Sequence, residues 1–398
     1  MSAGSGPLME PRSMSLTTKV IDTIAGMREI RTAYDEIAAA CDAPPFVSWD
    51  WLYRWWETAA QGYRIEILTF WAGSELQGAL PLMQVKYGLR RGMMRELRFA
   101  SDCVVASPTY MDLLARPGAE SACLGSAFEH LAADPGWDRM ELCRLRADSP
   151  SISLLCRAAV EHGFRAEIRP YVSCPYANLP ATFDEYLSGL SSNRRKKTKY
   201  ERRQLSRNHA TRFVRCTDAD AIDALLEKHF SWKAERMQRL GKWTQYTDPA
   251  FRRFTRSVAH DFQDRGWLRL WYLEVDGEPA AIEHVIVANS TCYLKSHSYD
   301  ERWMKQRIAD VSLGFCIESV IEEGVRVLDF LSTPAAEKFH YARHVAQVLK
   351  LTLYRPRLRS LCFEALAHVG ALPMASLKHL RTGRASAPEP APAAATES

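Results

Sequence analysis

The sequence predicts an α/β (α+β) protein of two tandem units, each a mixed central sheet flanked by helices. Three observations carry this. An order of helices, antiparallel strands, a helix and a further strand is legible in the second half and returns in the first. The residues between these elements are the ones that cap helices and turn hairpins. The 398 residues, 47% hydrophobic and 25% charged, suffice for two such units with cores of their own.

In the second half, residues 218–240 place Ile222, Leu225, Leu226, His229, Lys233 and Met237 on one helical stripe, closed by Gly241. Asp248 and Pro249 open another helix, with Phe251, Phe254, Val258 and Phe262 on one face and Gly266 after it. Residues 267–275, 280–287 and 291–299 read as an antiparallel meander, turned by Asp276-Gly277 and Ala288-Asn289-Ser290. Asp310 opens an apolar helix over 311–321, Gly324 closes it, and 325–331 reads as a buried strand.

The first half repeats this order. Residues 19–24 read as a strand, 28–41 and 49–60 as helices, and 64–71 and 75–83 as a hairpin around Ala72-Gly73-Ser74. Strands at 95–100 and 110–115, a helix at 119–133 and a strand at 137–145 follow. Trp49, Trp51, Trp55 and Trp56 recur at helical spacing and read as core. Pro170, Pro175 and Pro180 punctuate the join. The units are expected at 18–175 and 176–365, after a disordered N-terminus at 1–17 and before a C-terminal segment and Ala/Pro-rich tail at 366–398.

Several function classes are disfavoured. No apolar run of about 18 residues is present, and residues 1–15 lack the apolar core of a secretion signal, so no transmembrane segment and a cytoplasmic protein are expected. The ten cysteines stand singly, without C-x-x-C spacing, and His340 and His344 lack an intervening glutamate and a third ligand, so no metal is expected. No Ser/His/Asp motif and no Walker-type loop occurs. A net charge of +5 is too mild to imply a nucleic-acid partner, and no DNA partner is expected.

Local features point to chemistry. Eight of the fourteen residues from Arg194 to Arg207 are Lys or Arg, against one acid, Glu201. The run reads as a site for a polyanion, or as a basic surface helix that pairs with acids elsewhere. Glu283 and His284 sit in an otherwise apolar strand and point to opposite faces; burying either costs several kcal/mol unless it is paired. Tyr299 ends the third strand of the meander. Val311 through Gly314 stand at the start of a helix that follows a strand, where free N–H groups can meet a phosphate.

Other short motifs join these in order: Pro45-Phe46 with Trp49 through Trp56, Ala79-Leu80-Pro81-Leu82, Tyr110-Met111-Asp112-Leu113-Leu114, Ser192-Asn193-Arg194, Trp232 with Arg236, Ser312-Leu313-Gly314, Leu328-Asp329-Phe330-Leu331 and Lys338. Together, over 19–357, they resemble tandem acyl-CoA N-acyltransferases of the GNAT superfamily. The likeness is to the CelD-like group found with bacterial polysaccharide biosynthesis, related in architecture to Fem-type aminoacyl transferases.

The resemblance implies two GNAT-like units, the second being the acetyltransferase unit. It implies acetyl-CoA or another acyl-CoA as co-substrate, no metal, and transfer to a small-molecule amine such as an amino sugar or sugar nucleotide. Val311, Ser312, Leu313 and Gly314 fall where the family holds the cofactor pyrophosphate, with Leu313 in place of a proline. The superfamily's Gln/Arg-x-x-Gly-x-Gly/Ala loop is not matched by 306–311, so acyl-CoA follows from architecture. Arg194, Arg195, Trp232, Arg236 and Lys338 are the expected acceptor-binding residues, although the tyrosine that precedes the family's lysine is absent before Lys338. The chemistry asks for a base, expected at Glu283 or His284, and an acid for the thiolate, expected at Tyr299. Two alternatives are a Fem-type aminoacyl-tRNA-dependent transferase and a catalytically degenerate partner protein of the same fold.

Overall fold

Cap and turn residues set the elements in this computed structural model, which describes residues 15–87, 94–332 and 336–356. The first half runs β1 (Thr17–Ile21), α1 (Ile24–Glu29), α2 (Arg31–Ala40), α3 (Trp49–Ala59), β2 (Arg64–Ala72), β3 (Glu75–Lys86), β4 (Arg95–Phe99), β5 (Leu114–Ala115), α4 (Glu120–Ala133), β6 (Arg139–Arg146), α5 (Ser151–Glu161) and β7 (Arg165–Asn178). The second runs α6 (Phe183–Gly189), α7 (Ser192–Asn208), β8 (Thr211–Cys216), α8 (Ala219–Arg239), α9 (Pro249–Asp264), β9 (Leu268–Val275), β10 (Glu278–Ala288), β11 (Thr291–Tyr299), α10 (Ile308–Glu322), β12 (Val327–Asp329) and β13 (His344–Tyr354).

Side chains of Ser48, Ser191, Asp218 and Asp248 cap α3, α7, α8 and α9. Gly241 and Gly266, at φ +62° and +71°, end α8 and α9. The expected helix over 28–41 is instead two, broken at Ile30, and the first begins at Ile24, where Thr23 caps it after the first strand ends at Ile21. Of 110–115 only Leu114–Ala115 pairs, with β3. The helix expected from Asp310 begins at Ile308, where Arg307 at φ +56° turns the chain.

The strands form one continuous sheet in the order β1-β2-β3-β4-β6-β13-β7-β12-β11-β10-β9-β8, with β5 beside β3. Each end repeats the other. β1 through β4 are antiparallel and β4 runs parallel to β6 across α4. β8 through β11 are antiparallel and β11 runs parallel to β12 across α10. The final strands are exchanged: β13 lies against β6, β7 lies against β12, and the two pair antiparallel from His344↔Tyr176 to Tyr354↔Arg165. Two sheets therefore merge into one. Residues 175 and 176 lie within β7, whose last three residues reach β12.

The halves also join through α3 and α9. Trp51 meets Phe254 edge-on at 5.0 Å and stacks on Phe262 at 6.3 Å. Beside them Arg54 grips Asp261 with two bonds of 2.6 and 2.8 Å. Arg265 pairs with the buried Asp50 and with Asp35. Trp49, Trp51 and Trp55 are all buried. The expected disorder at 366–398, and most of that at 1–17, lies outside the described residues. Among the described residues no helix is long and apolar enough to cross a membrane.

Candidate active site

β11 and β12 run side by side only as far as Tyr293↔Asp329, and β11 then continues alone to Tyr299. Asp329 stands at the parting. Its Oδ1 accepts the N–H of Leu331 at 2.7 Å, holding that residue at φ +56°, and its Oδ2 accepts the hydroxyl of Tyr110 from the first half at 2.6 Å. On the other side of β11, a bulge in the pairing with β10 leaves Lys295 without a ladder partner. The result is a free strand edge at 294–299 beside an opening, the geometry in which backbone N–H groups stay available to a ligand.

Two sets of side chains leave this edge on opposite faces. On one, Glu283 of β10 lies opposite His297 of β11 and accepts the hydroxyl of Ser312 from α10 at 2.7 Å. Its other oxygen is buried with no partner. Burial pushes the carboxyl up to about 8, against the opposing pull of Ser312, Lys233 and Lys338. Tyr299 accepts a hydrogen bond from Arg236 of α8. Lys338 donates to the carbonyl of Phe330 at 3.1 Å. Burial and the cations Lys233, Lys338 and Arg236 hold His297 well below the usual imidazole range.

On the other face His284 lies opposite Ser296, with its ring 6.2 Å from that of His229. Burial, then Lys295, lowers His284 to about 3. His229 is itself fully buried between Ser298 on Nδ1 and Ser296 on Nε2, each at 2.8 Å. Lys295 donates to the carbonyl of Ser107 at 2.7 Å and ties the first half to this edge. The structure thus brings Glu283, Tyr299, Arg236 and Lys338 to one opening and keeps His284 on the opposite face.

Val311, Ser312, Leu313 and Gly314 are all buried within α10. They lie past its first turn, so Ser312 serves Glu283 through its side chain and the free N–H groups belong to the turn at Ile308–Asp310. No side chain caps that turn. A Cβ on Gly314 would lie 3.5 Å from Arg202 and 3.6 Å from Thr198, so its hydrogen lets α7 pack close. The basic run faces partners of its own. Arg194 bonds Tyr341 at 3.1 Å and Asp310 at 3.4 Å, Arg202 pairs with Glu318, and Arg195 reaches the carbonyl of Ser188 at 3.5 Å. Trp232 is half-buried at the core margin, with Lys228 5.7 Å from its ring. Of the residues expected to bind cofactor or acceptor, Ser312 reaches the opening through Glu283, Arg236 through Tyr299 and Lys338 beside Phe330.

Lys233, His297 and His229 are functional candidates that motif reading passes over. Their signal is present nonetheless: a lysine and a histidine on the apolar stripe of α8 are polar groups committed to the interior.

The corresponding opening of the first half is filled. β4 and β6 part after Arg98↔Glu141, and the loop beyond β4 enters the gap. Met111 donates its N–H to the carbonyl of Arg144 at 3.0 Å, while Arg144 bonds Asp102 at 2.5 Å and the Pro108 carbonyl at 2.6 Å. A surface hollow lined by Asn178, Asn289, Ser290 and Arg326 lies at the opposite ends of β11 and β12 from Glu283. Among the described residues no group of His, Cys, Asp and Glu could hold a metal.

The fold is of the GNAT kind, a mixed sheet flanked by helices. More particularly, residues 192–342 match the family described as acetyltransferase (GNAT) domain. Solved structures similar over most of the chain show the same fold. FemX has a TM-score of 0.60 at 10% identity, covering 88% of this chain and 99% of that one. The C-terminal domain of a putative lysylphosphatidylglycerol synthetase from Agrobacterium fabrum has 0.52 at 9%, covering 87% and 97%. A protein of unknown function from Bacteroides thetaiotaomicron has 0.50 at 10%, covering 85% and 100%. A search of curated proteins found no match.

Proposed function

We propose that the second unit, 176–365, transfers an acyl group from a coenzyme A thioester to an amine, with Glu283 as general base. The observation that carries this is the buried carboxyl of Glu283, one oxygen held by Ser312 and the other unpartnered, beside a strand edge that lost its neighbour. An acyl-CoA fits the residues present: the uncapped first turn of α10 offers N–H groups for its pyrophosphate, and the edge of β11 offers them for the carbonyl. When bound it supplies an activated carbonyl carbon.

The chain's residues divide the remaining work. Glu283 in its ionised form takes the proton of the attacking amine. Backbone donors at 294–299 hold the negative oxygen of the tetrahedral intermediate. Tyr299, fixed by Arg236, gives its proton to the departing sulfur. The first unit, 18–175, contributes Tyr110, which bonds Asp329 beside the opening. Acetyl as the acyl group, and an amino sugar or sugar nucleotide in polysaccharide or cell-envelope biosynthesis as acceptor, rest on the CelD-like resemblance. Calorimetric titration with acetyl-CoA and desulfo-CoA tests the reading: micromolar binding supports it, and no binding by the folded protein overturns it.

A second reading, transfer from an aminoacyl-tRNA, is favoured by one observation. Lys196, Arg203 and Arg207 form an exposed stripe around the exposed Tyr200 on α7, and none has an ion-pair partner among the described residues. Transfer from an aminoacyl-tRNA, with no thiol released from any acyl-CoA, would select it.

A further inference from the structure

We propose that the acceptor amine carries an oxyanion, a carboxylate or a phosphate, which Lys233, Arg236 and Lys338 hold beside Glu283. This rests on the acyl-transfer reading and names the substrate class of the same opening.

Elsewhere the chain pairs its buried carboxylates with cations. Glu96 meets Arg98 and Arg139, Asp102 meets Arg144, and Asp50 meets Arg265 and Arg31. At the opening it does not. Arg236 is bonded to a phenol and Lys338 to a peptide carbonyl, both neutral. Lys233, one turn from Arg236 on α8, has no hydrogen-bond or ion-pair partner among the described residues and only stands 5.6 Å from the Tyr246 ring. All three act on His297, which lies opposite Glu283.

The acids nearby, Glu283 and Asp329, offset them only in part. Burial keeps Glu283 largely protonated at neutral pH, and Asp329 is already bonded to Tyr110 and the Leu331 N–H. Enclosed like charges without a counter-ion are unfavourable, and a bound anion removes that cost. An oxyanion held there places a neighbouring amine against the unpartnered oxygen of Glu283, and the surrounding cations lower the proton affinity of that amine. The basic helix is not needed for this: Arg194 and Arg202 are spent on Asp310 and Glu318.

The test compares matched acceptors with acetyl-CoA, reading release of the free thiol. One arm sets an amino acid against its carboxamide, and the other sets an amino sugar phosphate against the parent amino sugar, so carboxylate and phosphate are told apart. In at least one arm the anionic member is expected to have a kcat/KM about tenfold or more above its neutral twin, the scale of one charge-assisted contact. Lys233→Met and Lys338→Met should shrink that ratio chiefly by raising KM. Lys233→Met is also expected to melt no lower than the wild type, because it removes an unpaired enclosed charge.

Equal use of both members in both arms, or an unchanged ratio in both variants, overturns the proposal. If no acceptor releases thiol, calorimetry with each anionic acceptor and with inorganic phosphate separates the two readings. Binding that Lys233→Met abolishes supports the anion site while the acyl-transfer reading falls; no binding of any anion overturns the proposal.

Discussion

The hydroxyl of Ser312 and the carboxyl of Glu283, from a helix and a strand on one side of the sheet, share a hydrogen bond of 2.7 Å. Ser312 favours the ionised form that a base needs, while burial favours the protonated one and prevails, at about 8. Ser312→Ala should therefore raise the carboxyl further. The rising limb of the pH–rate profile is expected to move to higher pH, and activity near neutrality to fall about three- to tenfold, the scale of one hydrogen bond. At high pH the rate should recover towards wild type.

The same burial makes stability depend on pH. Between the ordinary value of 4.5 and about 8 the folded protein keeps the Glu283 proton and the unfolded chain releases it. The folded state binds more protons across that window, so this group's contribution falls as pH rises through it. Thermal melts of the wild type and Glu283→Gln should converge at low pH and separate as pH rises, with the variant the more stable at pH 8.

At the contact between the halves, Asp50 has a side chain only 1% exposed and relies on Arg265, with Arg31 at 3.3 Å. Arg265→Ala leaves it with the half-exposed Arg31 alone. A loss of about 3 kcal/mol is expected in denaturant unfolding. Adding Asp50→Asn should return part of it, and a double-mutant cycle measures the coupling.

Tyr110 and Leu331 meet in Asp329 where β11 and β12 part. Asp329→Ala leaves Leu331 in a left-handed conformation without its bond, at a cost of about 1–2 kcal/mol. Acetyl-CoA binding should weaken severalfold by calorimetry in this variant, and less in Tyr110→Phe, which keeps the Leu331 contact. Unchanged affinity in a folded Asp329→Ala would show that the parting of β11 and β12 does not form the binding slot.

Sequence carried what is local. Asp218, Gly241, Pro249 and Gly266 mark helix ends by chemistry that acts within one turn, and α8 and α9 lie where those residues put them. The exchange of β7 and β13 was not legible, because it pairs Tyr354 with Arg165 across most of the second half. Glu283 stood out as an acid in an apolar strand, and Ser312 as a cofactor-binding residue, but the bond between them did not, since α10 begins at Ile308, where Arg307 adopts a left-handed conformation unusual for its type. The basic run of α7 looked unbalanced because Asp310 and Glu318, which pair with Arg194 and Arg202, are over a hundred residues away in the chain.

The most direct test of the account is the pH dependence of acetyl-CoA-dependent thiol release, with a responsive amine, in wild type and Glu283→Gln. The wild-type rate is expected to climb with pH to a limb near 8. Glu283→Gln, folded and still binding acetyl-CoA, should lose that limb and fall by about 10²-fold or more. A variant that keeps both the limb and the rate would contradict the assignment of Glu283 as the base.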